Sequence, residues 1–383
     1  MASRLAGIEG VRGLAALSVV IYHVWRFTQD GVPFSPLLQY FWLGVTAFFV
    51  LSGFLLYRPF AAATLAARPR PSLVRYARSR FLRIVPAYYV GLTVLLVTFE
   101  RDLLGGPAWD WLTSYLFLQI YFPTTAVIIG PAWTLCIEVT FYLTLPLAAA
   151  GLRRVAERGE SMNARAWLQL ALLAPLLAAG PLARVAVTQN GAIPNALPQY
   201  VDLFAIGMML AVLIEWHSAA GRPQLARVWP LTTAAWSLLV LATYVAHPRT
   251  RPLEGNAASS MLFDTVMGAI FAILLAAMLL ARRPTLLLRV ARLRSITFLG
   301  VVSYGFYLWH EPLIDALGTN LPRSNGITFL PNVAFVGLLA LACAAASWFL
   351  VERRALRLKD FSRRVRGSEE PTIPAVALVE SAE

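Results

Sequence analysis

The feature that most constrains this chain is a series of apolar runs, each long enough to cross a bilayer. They fall at about Gly10–Phe27, Leu38–Pro59, Ile84–Phe99, Trp133–Leu152, Ala166–Val187, Gln199–Trp216, Pro230–His247, Met261–Ala281, Ser295–Leu317 and Phe329–Val351. Roughly 20 apolar residues span the hydrocarbon as a helix, and backbone exposed to lipid has to bond within its own segment. With 58% hydrophobic residues and a mean hydropathy of +0.64, the chain is too apolar for a soluble protein of 383 residues. The runs predict an all-α integral membrane protein, a polytopic bundle of about ten transmembrane helices. One further stretch, Trp109–Gly130, is interrupted by Pro123 and rich in Thr, Tyr and Gln. It is expected to be interfacial or re-entrant.

Charge supports that choice. The net charge is +13, nearly all from arginine, since Lys359 is the only lysine. In a soluble protein such an excess points to nucleic acid; here the arginines sit between apolar runs and read as topology, so no nucleic-acid partner is expected. Suppose the N-terminus is cytoplasmic and Trp109–Gly130 does not span. Basic residues then gather on the inner side, in the loops around Arg58–Arg83, Arg153–Arg165, Arg222–Arg227 and Arg282–Arg294 and in the stretch from Arg353 to Arg366. Only Arg26, Arg101, Arg184, Arg249, Arg251 and Arg323 fall outside, as the positive-inside rule requires. Both termini are therefore expected in the cytoplasm and the protein in the plasma membrane. Residues 1–360 form one transmembrane domain, and residues 361–383, acidic toward the end and poor in large apolar residues, a disordered cytoplasmic tail. The first run lacks a small-residue cleavage site and is expected to be retained, with no soluble catalytic domain at either end. Cys136 and Cys343 lie inside apolar runs, and no metal-ligand spacing is present.

Polar residues inside such runs carry the functional signal, because an ionisable group in a membrane helix needs a cavity or a partner. In the first run, EGVRGLAALSVVIYHVWRF, Arg12 and His23 are eleven residues apart. That is about 20° from three whole turns and roughly 16 Å along the axis, so both lie on one face. They are either a polar seam or a snorkelling arginine and a core histidine. The assumed topology brings His23, Glu138, His310 and Glu311 to a similar depth in the outer half, on three helices. A histidine beside a carboxylate is what a general base needs; a buried ion pair for Glu138 and a cap before Pro312 for His310 are the structural alternatives. On the cytoplasmic side, Arg80 and Arg83 in SLVRYARSRFLRIVPAYY share a helix face. Guanidinium forks suit phosphate oxygens, although topology and anionic lipid already account for the charge.

Five stretches in order resemble the membrane-bound acyltransferase-3 family: GVRGLAALSVVIYH (Gly10–His23), GVTAFFVLSGFLL (Gly44–Leu56), RFLRIVPAYY (Arg80–Tyr89), PAWTLCIEVTFYLTLP (Pro131–Pro146) and LGVVSYGFYLWHEPL (Leu299–Leu313). The resemblance implies an O-acyltransferase with His23 as catalytic base and Arg12 as its partner in an Arg–ten residues–His element. It implies Arg80 and Arg83 near the donor and important roles for Glu138, His310, Ser303 and Tyr304. Trp133, which opens the helix of Glu138, joins the expected substrate-binding set. Val139 stands where the family often has a second Glu, which weakens any mechanism needing a carboxylate pair there. The expected reaction moves an acyl group, acetyl first, from cytoplasmic acyl-CoA to a hydroxyl of an extracytoplasmic glycan, glycolipid or glycosylated antibiotic. No permanently bound cofactor and no metal are expected. The competing reading is a transporter or flippase of a lipid-linked sugar, with its buried ionisable residues serving as a proton relay.

Overall fold

The computed structural model describes residues 2–27, 35–122, 128–190, 196–246, 257–318, 321 and 327–358. The expected tail at 361–383 lies outside these residues, as do Arg249, Arg251 and Arg323. Fifteen α-helices follow one another: α1 (Ala2–Phe27), α2 (Ser35–Leu38), α3 (Gly44–Leu65), α4 (Leu73–Thr98), α5 (Ala108–Tyr115), α6 (Trp133–Ala156), α7 (Met162–Leu173), α8 (Leu176–Asn190), α9 (Val201–Ala219), α10 (Trp229–Ala246), α11 (Ala257–Leu280), α12 (Leu286–Ala291), α13 (Arg294–Val301), α14 (Ser303–Leu317) and α15 (Phe329–Ser347). Among the described residues there is no β-strand, only an isolated bridge between Leu225 and Ala281.

Among the described residues, eight helical segments are long and apolar enough to cross a membrane: Gly7–Phe27, Gln39–Leu65, Leu73–Thr98, Gly130–Ala156, Met162–Val187, Leu197–Ala219, Leu262–Leu280 and Phe329–Leu358. Two runs read as spans behave differently. Pro230–His247 is α10, whose C-terminal continuation lies outside the described residues. Ser295–Leu317 is not one helix but two, α13 and α14, with Val302 between them at φ −92° and ψ 5°. The Trp109–Gly130 stretch holds α5, eight residues long and therefore about 12 Å, followed by turns; 123–127 lie outside the described residues.

Packing explains the break at Val302. Helix α13 lies backbone to backbone on α1. A Cβ added at Gly300 would come within 1.8 Å of the Glu9 carbonyl oxygen, and one at Gly13 within 2.7 Å of the Gly300 nitrogen. Small residues let membrane helices approach this closely. Helix α14 packs instead along α15 and the C-terminal part of α1, and one straight axis does not serve both contacts. The turn costs little, because Val302 N–H still donates to Phe298 and Phe306 N–H to the Val302 carbonyl. A similar interlock joins α3 to α9, where Gly53 meets the Phe204 carbonyl and Gly207 the Val50 carbonyl. Around that pair lies the largest core, with Phe54, Tyr57 and Phe204 buried and Phe141 stacked on Phe204 at 4.0 Å between ring centroids.

One buried charge changes meaning in the fold. Arg184, counted among the outside charges, sits in α8 and pairs with fully buried Asp202 of α9 at 2.7 Å. Both groups also bond Thr265 of α11. This cation ties three helices together inside the bundle and marks no loop.

Candidate functional site

Helix α1 is the spine of the site. Its polar face carries Arg12 near one end and His23 near the other, and each meets a different set of partners. At the far end, His23 Nδ1 is 2.9 Å from His310 Nε2 of α14. The same His23 nitrogen is 3.1 Å from the Val19 carbonyl oxygen, and His310 Nδ1 is 2.6 Å from the Tyr307 carbonyl oxygen. His23 Nε2 faces Glu311 Oε2 at 4.0 Å. His310 is fully buried, whereas the side chains of His23 and Glu311 keep 19% and 16% of their surface. Among the described residues, His23, His310 and Glu311 are the one set of three His, Cys, Asp or Glu groups whose ligand atoms lie within 4.8 Å of one another. The facing imidazole nitrogens are in direct hydrogen-bond contact, closer than two nitrogens each about 2.0–2.1 Å from a shared zinc ion would sit. At that separation a single proton can be shared between the two rings.

The other end of α1 opens on a cavity of about 100 Å³ walled by α1, α3, α4, α6 and α14. Arg12, Arg80 and Arg83 line it together with Glu138, Ser303 and Tyr304. Helical spacing on α4 places Arg80 and Arg83 one turn apart, toward the same space. Arg83 Nη2 is buried with no hydrogen-bond partner, and its guanidinium lies 5.9 Å from the Trp348 ring centroid. Ser303 Oγ, freed at the start of α14 by the break at Val302, is likewise buried and unpartnered. Unmet donors beside three guanidiniums suit an anion, because each buried donor left unbonded costs about 1–3 kcal/mol until something accepts from it.

Glu138 is not the carboxylate beside the histidines. It accepts from Ser52 Oγ at 2.5 Å and from Tyr142 OH at 3.0 Å, inside the arginine-lined cavity. The register of α6 against α14 gives the reason. Tyr307 OH meets Thr134 Oγ1 at 3.1 Å, and Gly130 abuts the Glu311 carboxylate. From that level Glu138 is one turn, about 6 Å, further along α6 in one sense, and His310 nearly a turn along α14 in the other. Glu138 therefore stands level with Ser303 and Tyr304, and Glu311 takes the place beside His23. The sequence signal for Glu311 was its position directly after His310. Trp133 does not line the cavity; its ring packs 5.6 Å from that of Tyr200 and 6.4 Å from that of Phe49. Tyr304 donates to the Ile84 carbonyl and forms cavity wall. Tyr307 joins the two halves: its ring lines the cavity and its carbonyl holds His310.

Comparison with known proteins gives a consistent picture. A family model described as an acyltransferase domain matches residues 5–351. The chain is 28% identical to acyltransferase MdmB of Streptomyces mycarofaciens, over 96% of this chain and 96% of that protein. It is 27% identical to nodulation protein 10 of Rhizobium leguminosarum bv. viciae, over 91% and 92% of the two chains. Peptidoglycan O-acetyltransferase OatA of Listeria monocytogenes serovar 1/2a is 22% identical over 80% of this chain and 49% of its own. No solved structure matches the chain.

Proposed function

The chain belongs to the acyltransferase-3 family, and from that premise we propose that it is an integral-membrane O-acyltransferase that moves an acyl group, acetyl first, from cytoplasmic acyl-CoA to a hydroxyl of an extracytoplasmic carbohydrate or glycosylated small molecule. One observation carries this reading: a single helix face presents an arginine-lined cavity at Arg12 and a histidine–carboxylate cluster at His23. The roughly 16 Å between them is a distance that a thin pantetheine arm can bridge. Supporting the acceptor class is OatA, whose name gives peptidoglycan as what it acetylates.

In this mechanism Arg80 and Arg83 hold donor phosphates, with Arg12 and Ser303 completing the anion cradle. Glu138, held by Ser52 and Tyr142, balances the guanidinium charge and keeps the cavity open when no donor is bound. The thioester lies toward Tyr307. His23 takes the proton of the acceptor hydroxyl as its oxygen attacks the thioester carbonyl; the C–O bond forms, the C–S bond breaks, and the proton passes to the departing thiolate. The topology goes with this division of labour. With about ten membrane crossings, both termini in the cytoplasm and a plasma-membrane location, Arg80 and Arg83 would stand at the inner face and His23 in the outer half.

Radiolabelled acetyl-CoA supplied to the purified protein in detergent tests the reading. Acetyl transfer to soluble peptidoglycan fragments, or thioester hydrolysis without them, is the expected result. Neither activity, together with proton-coupled uptake of a lipid-linked sugar in vesicles, would replace the enzyme with a transporter.

A further inference from the structure

Two backbone carbonyls set the protonation of the histidine pair. A carbonyl oxygen only accepts hydrogen bonds, so His310 Nδ1, 2.6 Å from the Tyr307 carbonyl, carries a proton. In the neutral ring Nε2 is then a lone pair. That lone pair faces His23 Nδ1 at 2.9 Å, and two facing lone pairs would repel. His23 Nδ1 therefore carries the proton between them. The Val19 carbonyl, 3.1 Å from the same nitrogen, is a second acceptor and requires the same assignment. What remains is the lone pair of His23 Nε2. It is the nitrogen that faces Glu311 at 4.0 Å, on the side where both side chains keep some open surface.

Building on the proposed role of His23, we propose that His23 Nε2 is the atom that takes the hydroxyl proton, that His310 is a positioning residue which locks His23 in the Nδ1–H tautomer, and that Glu311 supplies the countercharge to the imidazolium. During the reaction the hydroxyl proton moves to His23 Nε2 and from there to the thiolate. The Nδ1 proton stays in place, and its bond to His310 strengthens while His23 is cationic. His310, fully buried, stays neutral throughout, as its surroundings require. Glu311 has the space it needs beside His23. A Cβ on Gly130 would come 2.6 Å from its Oε2, so the missing side chain at 130 leaves the carboxylate room to lie toward His23. Fixing a catalytic imidazole's tautomer and stabilising its cation is the division of roles that makes a histidine an effective base.

Solid-state NMR of the full chain labelled with ¹⁵N-histidine tests the tautomers directly. The sequence has four histidines, and replacing His217 and His247 by Gln leaves the pair. Both remaining rings are expected as the Nδ1–H tautomer; His23 found as Nε2–H would overturn the proposal. Turnover is read as thiol release from acetyl-CoA with soluble peptidoglycan fragments. His310→Gln keeps a carbonyl where Nε2 accepts, so it is expected to retain activity within about tenfold, while His310→Leu loses roughly 100-fold or more. Glu311→Gln is expected to lower kcat about tenfold or more at unchanged KM for acetyl-CoA, with Glu311→Asp partly restoring it. If His310→Gln falls as far as His23→Gln, His310 itself carries the proton and the assignment fails. If His23→Gln remains active, the underlying choice of base fails instead.

Discussion

At the residue scale, the roles proposed for the two ends of the site can be tested apart, one by donor binding and the other by turnover. Arg83 has an unmet buried donor on the cavity, and charge-assisted bonds to phosphate are worth about 1.5–3 kcal/mol. Arg83→Ala is therefore expected to weaken acetyl-CoA binding roughly 10- to 100-fold in an equilibrium titration of purified protein. Unchanged binding would leave the arginine a topological role alone. His23 makes no contact with the cavity, so His23→Gln should keep donor affinity and lose about 10²- to 10⁴-fold in turnover, the usual contribution of a general base. A purely structural histidine would show the reverse, with lower melting temperature and near-normal turnover per folded molecule. Arg12 and His23 were legible as one polar face from their spacing alone. The place of Glu138 was not, because depth along a helix says nothing about the register between helices.

At the element scale, the site depends on how closely α1 and α13 approach. Their backbones touch at Gly13 and Gly300, and that contact fixes where α13 must end and α14 begin. A side chain at Gly300 would drive the helices apart. Overpacking of this kind costs about 1–3 kcal/mol or more, so Gly300→Val is expected to lower the melting temperature in detergent. It should also weaken acetyl-CoA binding, because Ser303 and Tyr304 move with the start of α14. A variant with normal stability and binding would show that the two helices tolerate separation. The sequence displays the apolar run Ser295–Leu317 as continuous, since hydropathy reports burial in lipid and not the axis of the helix. The buried Arg184–Asp202 pair was hidden for a related reason: a charge is assigned to a loop until a partner on another helix is seen.

At the scale of the whole molecule, the distribution of arginines makes the arrangement in the membrane testable. Single cysteines at Asp30 and Asn256, both outside the described residues, are expected to react with a membrane-impermeant reagent from outside in intact cells. A cysteine at Gly367, also outside them, should react only after permeabilisation; its labelling from outside would invert the topology. The sequence by itself determined the helical membrane class and the family, and it singled out Arg12, His23, Arg80, Arg83 and His310 as the residues to watch. These follow from local physics: hydrocarbon selects apolar helices, and charge inside them is costly enough to stand out. Only the tertiary structure decided which carboxylate stands beside His23, that Val302 breaks a run to bring Ser303 into the cavity, and which lone pair of the histidine pair is free. Those depend on register between helices and on the direction of single hydrogen bonds, and neither periodicity nor hydropathy along one chain encodes them.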